Sequence, residues 1–405
     1  MTTSENSAAT PSPEQPPRAT ANRSTTPGSD AFRDFIGSQW ADRVDVIPEP
    51  REQARYAALR RSALSVMHPG KRLVIAAGNR KQRSNDTDYL YRAHSAFSYL
   101  TGWGSDSEPG AVLVMAPTAS GHEATLYFRE RAGRDSDEFY ANSDIGEFWI
   151  GPRPSLAQVA GDLALAAAHI DTLSAEDAAA AATDLPEDLA RDLSEMRLVK
   201  DEYEISQMRA AVAASIRGFA DIARVLPAIA GNKRGERLVE SAFASRARLE
   251  GNGVGYETIA ASGAHACILH WTRNDGDVQA GELILIDAGV EMDSYYTADV
   301  TRTLPVNGTF SPVQRQVYEA VREAARLHAI IAGCKLALEG PVADDFADGA
   351  LRGEGINGSR ICGHGRMRLG EKEGRNGKRD DVADAQAGGD IGPRRQSCRQ
   401  SEKLA

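Results

Sequence analysis

Between Gly281 and Thr303 the sequence has the pattern of a buried β-hairpin that carries two aspartates. Leu283 to Ile286 is an unbroken aliphatic run, as in a strand covered on both faces. Gly289 to Ser294 supplies a turn, and Tyr295 to Thr303 is β-prone again. A turn centred near Met292 puts Asp287 opposite Thr297, with Asp299 two residues further along the same face. Such a diagonal pair holds its Cβ atoms roughly 7–8 Å apart, which suits carboxylates straddling two metals about 3.5–4 Å apart. Without a cation, two ionised carboxylates in an apolar setting repel, and one takes up a proton. A divalent metal is the simpler way to keep both charged.

The 405 residues leave room for two or three domains with full cores. A net charge of −10, from 47 basic and 57 acidic residues, argues against a nucleic-acid partner. Cys267, Cys334, Cys362 and Cys398 are few and widely spaced, so the expected compartment is a reducing cytoplasm. Residues 1–30 are rich in Ser, Thr, Pro and Ala without an apolar segment, which predicts a disordered tail and no signal peptide. No run approaches the roughly 18 apolar residues of a membrane span.

Further along, 31–53 reads as a polar helical lead-in and 52–67 as an amphipathic helix. Short apolar runs at 73–77, 111–116 and 125–129 predict strands, and the Ala-rich stretches 156–170 and 174–192 predict helices. Together they suggest an α/β domain over 45–185. A second region starts near 190. Helices are expected at 205–229, 234–250 and 311–331, the last capped by Ser311, with strands at 257–261, 266–270, 282–286 and 295–303.

Four stretches resemble Xaa-Pro aminopeptidases (aminopeptidase P), pita-bread metallopeptidases related to prolidase and methionine aminopeptidase. They are Tyr89 to Trp103 with Glu108 to Leu113, Arg197 to Arg209, Ala266 to Trp271, and Leu285 to Gly289 with Asp299 to Thr303. The resemblance implies an α/β N-terminal domain followed by an α+β pita-bread catalytic domain, of which 190–338 would be the first half. It further implies hydrolysis of the N-terminal Xaa-Pro bond of peptides with proline in second position. Two divalent metal ions, Mn²⁺ by family habit, would do this work, with Asp287 on one and Asp299 bridging both. His270 would stand by the scissile carbonyl, and homo-oligomers are a family habit too.

The resemblance implies further His and Glu ligands after the helix at Ser311, and no such motifs follow there. From Leu351 to Ala405 there are 11 Gly among 55 residues, 12 Lys or Arg against 8 Asp or Glu, and no aromatic residue. That composition predicts a disordered segment over 339–405, as from a truncated or frame-shifted reading. His364, in Gly363-His364-Gly365, lacks an apolar strand around it and is not expected to be a ligand. Two alternatives stay open: an inactive relative that serves as an association module, or a prolidase- or creatinase-like hydrolase. Among the remaining candidates, His265 reads as a loop or rim residue and Arg302 as either a partner of Asp299 or a surface charge. Tyr295 and Tyr296 read as either site lining or hairpin packing.

Overall fold

The computed structural model describes residues 29–85 and 87–331. The first region is a four-stranded sheet with helices around it. Leu73–Ala76, Val112–Thr118 and Gly121–Phe128 pair antiparallel, and Ala166–His169 adds a parallel edge. Alternation along Leu73–Ala76 turns Leu73 and Ile75 inward, where they meet Leu64 of the helix Glu52–Met67 and the fully buried Phe97, Leu113 and Leu126.

Several expected elements differ. The lead-in helix stops at Gly37, before the irregular approach to Pro48. The Ala-rich stretch 156–170 is a helix only over Leu156–Leu163, because Ala164 turns left-handed and the chain then joins the sheet at Ala166. The stretch 174–192 divides into Ala175–Ala181 and Glu187–Met196, with Pro186 at the start of the second helix.

The second region starts with the long helix Glu202–Ile229. Asp201 caps it, accepting from the Glu204 amide while the Glu204 carboxylate accepts from the Asp201 amide. The helix Gly235–Glu250 lies against it, and the two approach closely at Gly218. A Cβ there would stand 2.6 Å from the Phe243 ring. Both helices cover one face of a three-stranded antiparallel sheet in the order Val300–Pro305, Leu283–Ala288, Ile259–Ser262. Ala260, Ile284, Ile286, Ala288 and Leu304 point into that helical layer with Phe219, Ile222, Val239 and Phe243. On the opposite face a small apolar cluster of Ile259, Ala261 and Leu285 forms, with Ala266 and Trp271 against it. The central strand is thus covered unequally.

The two regions interlock through the hairpin tip. Tyr295 belongs to the core of the first region, and its hydroxyl accepts from the Ala93 amide at 3.3 Å. The Ser105 amide donates to the Asp293 carbonyl at 2.8 Å, beside Gly104. The amphipathic helix Pro312–Ile331 closes the described chain, with Ser311 Oγ accepting from the Gln314 amide as its cap. The segment 339–405 lies outside the described residues, as do 1–28. Among the described residues no helix is long and apolar enough to cross a membrane.

Candidate metal and catalytic site

Asp287 is the last residue but one of the central strand Leu283–Ala288, and the neighbouring strand returns with Thr301 opposite it and Val300 opposite Ala288. The bridge between Glu291 and Thr297 continues the same register around a tip at Ser294. The expected pairing of Asp287 with Thr297 is therefore two residues out in the position of the turn. The hairpin is longer because Val290 and Glu291 pair with Gly253 and Val254, extending the first arm past Gly289. The consequence for the aspartates survives. Asp299 stands diagonal to Asp287, two residues before Thr301, so both side chains lie on the face away from the helices.

Gly289 makes this approach possible. A Cβ at that position would come within 1.6 Å of the Ala298 carbonyl oxygen and 3.2 Å of the Tyr256 ring. The Tyr256 hydroxyl in turn donates to Asp299 Oδ1 at 3.2 Å, with the Asp287 carboxylate close enough for its charge to act on the phenol. Burial, and then the charges of the two aspartates, push the Tyr256 phenol well above its ordinary range. Asp287 is buried and Asp299 is exposed, so the pair opens toward solvent on the Asp299 side.

Two carboxylates on one face, with one phenol beside them, present hard oxygen atoms of the kind a divalent cation takes. They fit the part of a metal centre that one hairpin can give. Among the described residues no third His, Cys, Asp or Glu joins them.

His270 is placed differently from expectation. The strand expected at 266–270 is instead a 3-10 turn over Gly263–Cys267 followed by an irregular bend, with the His270 side chain exposed. Among the described residues no hydrogen bond or ion pair ties its imidazole to either aspartate. The physical reason is a buried carboxylate that sequence reading passed over. Glu236, fully buried at the start of its helix, accepts from the Ser262 amide at 2.8 Å and the Gly276 amide at 2.7 Å. Its oxygens also meet His265 Nδ1 at 2.8 Å and accept from Trp271 Nε1 at 2.8 Å. The His265 and Trp271 rings stack with centroids 3.9 Å apart. The loop curls around this carboxylate instead of extending as a strand. His265 is thereby a loop residue, as expected, and one that anchors the loop to Glu236.

The other candidates sort themselves by register. Arg302 pairs with Ile286, on the face opposite Asp287, and donates to the Thr301 carbonyl at 2.7 Å. Tyr295 packs into the core of the first region, and the Tyr296 hydroxyl donates to Glu204, at the start of the helix Glu202–Ile229, at 2.7 Å. Neither lines the aspartate pair.

Two family models match the sequence: the aminopeptidase P N-terminal domain over residues 56–184, and metallopeptidase family M24 over residues 206–376. The second match runs into the Gly- and Arg-rich segment. Xaa-Pro aminopeptidase 1 of Streptomyces coelicolor is 44% identical over 365 residues, covering 85% of this chain and 72% of its own. The Xaa-Pro aminopeptidase of Escherichia coli K12 is 31% identical over 299 residues, 65% of each chain. Among solved structures, the low-pH form of aminopeptidase P from E. coli superposes with a TM-score of 0.55 at 27% identity, over 67% of each chain. A zinc-substituted form of that enzyme in complex with product also matches, at 0.55 and 28%.

Proposed function

Since the chain belongs to the Xaa-Pro aminopeptidases of metallopeptidase family M24, we propose that its site is built to hydrolyse the first peptide bond of chains with proline in second position. Asp287 and Asp299 are the residues that would hold the metal: two divalent ions, manganese in this reading. The observation that carries this is the diagonal placement of the two carboxylates on one hairpin face, with Tyr256 beside them. When bound, the metal would polarise the scissile carbonyl and supply a nucleophile near neutral pH.

The chain's own residues have separate tasks. Tyr256 stays protonated and, as a donor, fixes the orientation of the Asp299 carboxylate. Glu236 holds the loop of His270 in place, and His270, exposed at the bend, is free to donate to a peptide carbonyl as negative charge grows on it. We further propose that the 405 residues bind metal weakly and turn over slowly. A hard divalent ion takes about six donors, and the described residues offer two carboxylates. The composition of 339–405 offers no strand pattern to bring more. Ile268 and Leu269 in the loop, and Val313 and Val317 on the last helix, are exposed apolar side chains that a second lobe would cover. A reducing cytoplasm and homo-oligomers complete the reading, the first on cysteine usage and the second on family likeness alone.

The test is release of the first residue from an Xaa-Pro-Xaa peptide by the purified chain with added Mn²⁺. Slow release that disappears in Asp287→Asn supports the reading. Release as fast as that of a full aminopeptidase P would overturn the proposed impairment, and release indifferent to Asp287→Asn would overturn the site.

A further inference from the structure

A cleft of about 270 Å³ lies where the two regions meet, away from Asp287, Asp299, Tyr256 and His270. Four segments form it: the start of the helix Glu52–Met67, the stretch 92–104, the stretch 197–204, and the hairpin tip at 294–296. Its side chains include four cations, Arg60, Arg92, Arg197 and Lys200, against one carboxylate, Glu204. In a chain with a net charge of −10, that local excess of positive charge is out of keeping with the rest.

Two of the cations are already matched. Arg60 donates to Asp201 at 2.7 Å, and Arg92 to Glu291 at 2.9 Å. Among the described residues Arg197 is held only by neutral groups, the Leu193 carbonyl at 3.1 Å and Ser194 Oγ at 3.3 Å. Lys200 donates to the Arg197 carbonyl. Among the described residues neither has a carboxylate within ion-pair distance. Burial makes protonation of Lys200 less favourable on balance, against the pull of Glu204 and with a smaller push from the neighbouring Arg197. His94 nearby is likewise held down, by burial and then by Arg197 and Arg92. Ser98, also in the wall, keeps a buried hydroxyl that has no hydrogen-bond partner among the described residues. Charged and polar groups inside a protein are ordinarily matched. Here two cations and a hydroxyl are left unmatched around one small space.

We propose that this cleft binds a small oxyanion, a phosphate or a carboxylate, gripped by Arg197 and Lys200 with Ser98 as a further donor. The volume admits such a group with a short apolar body, since Tyr99, Trp103 and Tyr203 supply the remaining wall. The ligand would touch Tyr295 and Tyr296 on the same hairpin that carries the two aspartates, so it would also fasten the hairpin tip to the first region.

Calorimetric titration of the full chain at constant ionic strength, with chloride as the control anion, tests this. The probes are inorganic phosphate and a tripeptide with a free or an amidated C-terminus. Saturable binding of phosphate, or of the free but not the amidated peptide, is expected, and which of the two binds identifies the source. Arg197→Gln with Lys200→Gln should weaken it roughly tenfold or more, the worth of one charge-assisted hydrogen bond. Ser98→Ala, the milder change, should weaken it less and keeps the test valid where the double variant does not fold. No saturable heat beyond the chloride control, or equal affinity in wild type and both variants, would overturn the proposal.

Discussion

The Tyr256 hydroxyl donates to Asp299 Oδ1 across 3.2 Å, and Asp287 completes the group from the neighbouring strand. A phenol between two acidic side chains is held in its neutral form, and this sets how the fold responds to alkali. Tyr99 is pushed up to about 12, chiefly by burial, and Tyr91 and Tyr296 are also raised with burial as the main cause. Unfolded, all of these ionise near an ordinary value of about 10. Above that pH the folded chain retains protons that the unfolded chain releases, so stability is full below about pH 10 and falls as pH rises further. Absorbance titration should show fewer ionised tyrosines in the native chain than in the urea-unfolded chain at about pH 11. Equal counts would contradict it.

Gly289→Ala forces a methyl group into the Ala298 carbonyl, which would stand 1.6 Å away. The strand pair cannot separate there without moving Tyr256 off Asp299. A loss of about 3 kcal/mol or more is expected, in the range of severe overpacking. Urea unfolding followed by circular dichroism measures it, and a variant within 1 kcal/mol or so of wild type would refute the close approach.

Glu236→Ala would leave four donors of the 262–276 loop facing an empty carboxylate site. Each donor left buried without its acceptor costs about 1–3 kcal/mol. Hydrogen exchange should rise selectively at residues 263–276, with the helix Glu202–Ile229 protected until global unfolding. Uniform loss of protection across the chain would mean that Glu236 serves the core in general and not the loop.

Arg92→Ala tests the junction. Arg92 Nε holds Glu291 at 2.9 Å and its guanidinium lies 4.6 Å from the centre of the Tyr295 ring. Glu291 keeps Asn252 at 2.9 Å, and Arg92 is partly exposed, so the cost should be only about 1–2 kcal/mol. Limited proteolysis near the hairpin tip should speed up accordingly. Unchanged cleavage would show that Tyr295 alone secures the tip.

The aspartate pair was legible because strand alternation and the Asp287-Ala-Gly289 turn-in are local signals. The register was not, since the tip position depends on distant clamps: Ser105 on Asp293, and Tyr295 held left-handed at φ 66° inside the other core. Glu236 looks in sequence like a charge on the first turn of a helix. Its burial follows from a loop nearly thirty residues later that folds over it. Tyr256 gave no signal because an isolated tyrosine before a strand is commonplace. The Ala-rich stretches misled because alanine favours helices while the sheet edge at Ala166–His169 is fixed by pairing with Thr125–Phe128.

Manganese titration of the 405-residue chain, run beside Asp287→Asn and Asp299→Asn, tests the paired carboxylates most directly. The expected result is weak saturable binding in the wild type, lost in both variants, with substoichiometric metal after gel filtration. Two tightly held ions per chain, or weak binding that neither substitution disturbs, would contradict it.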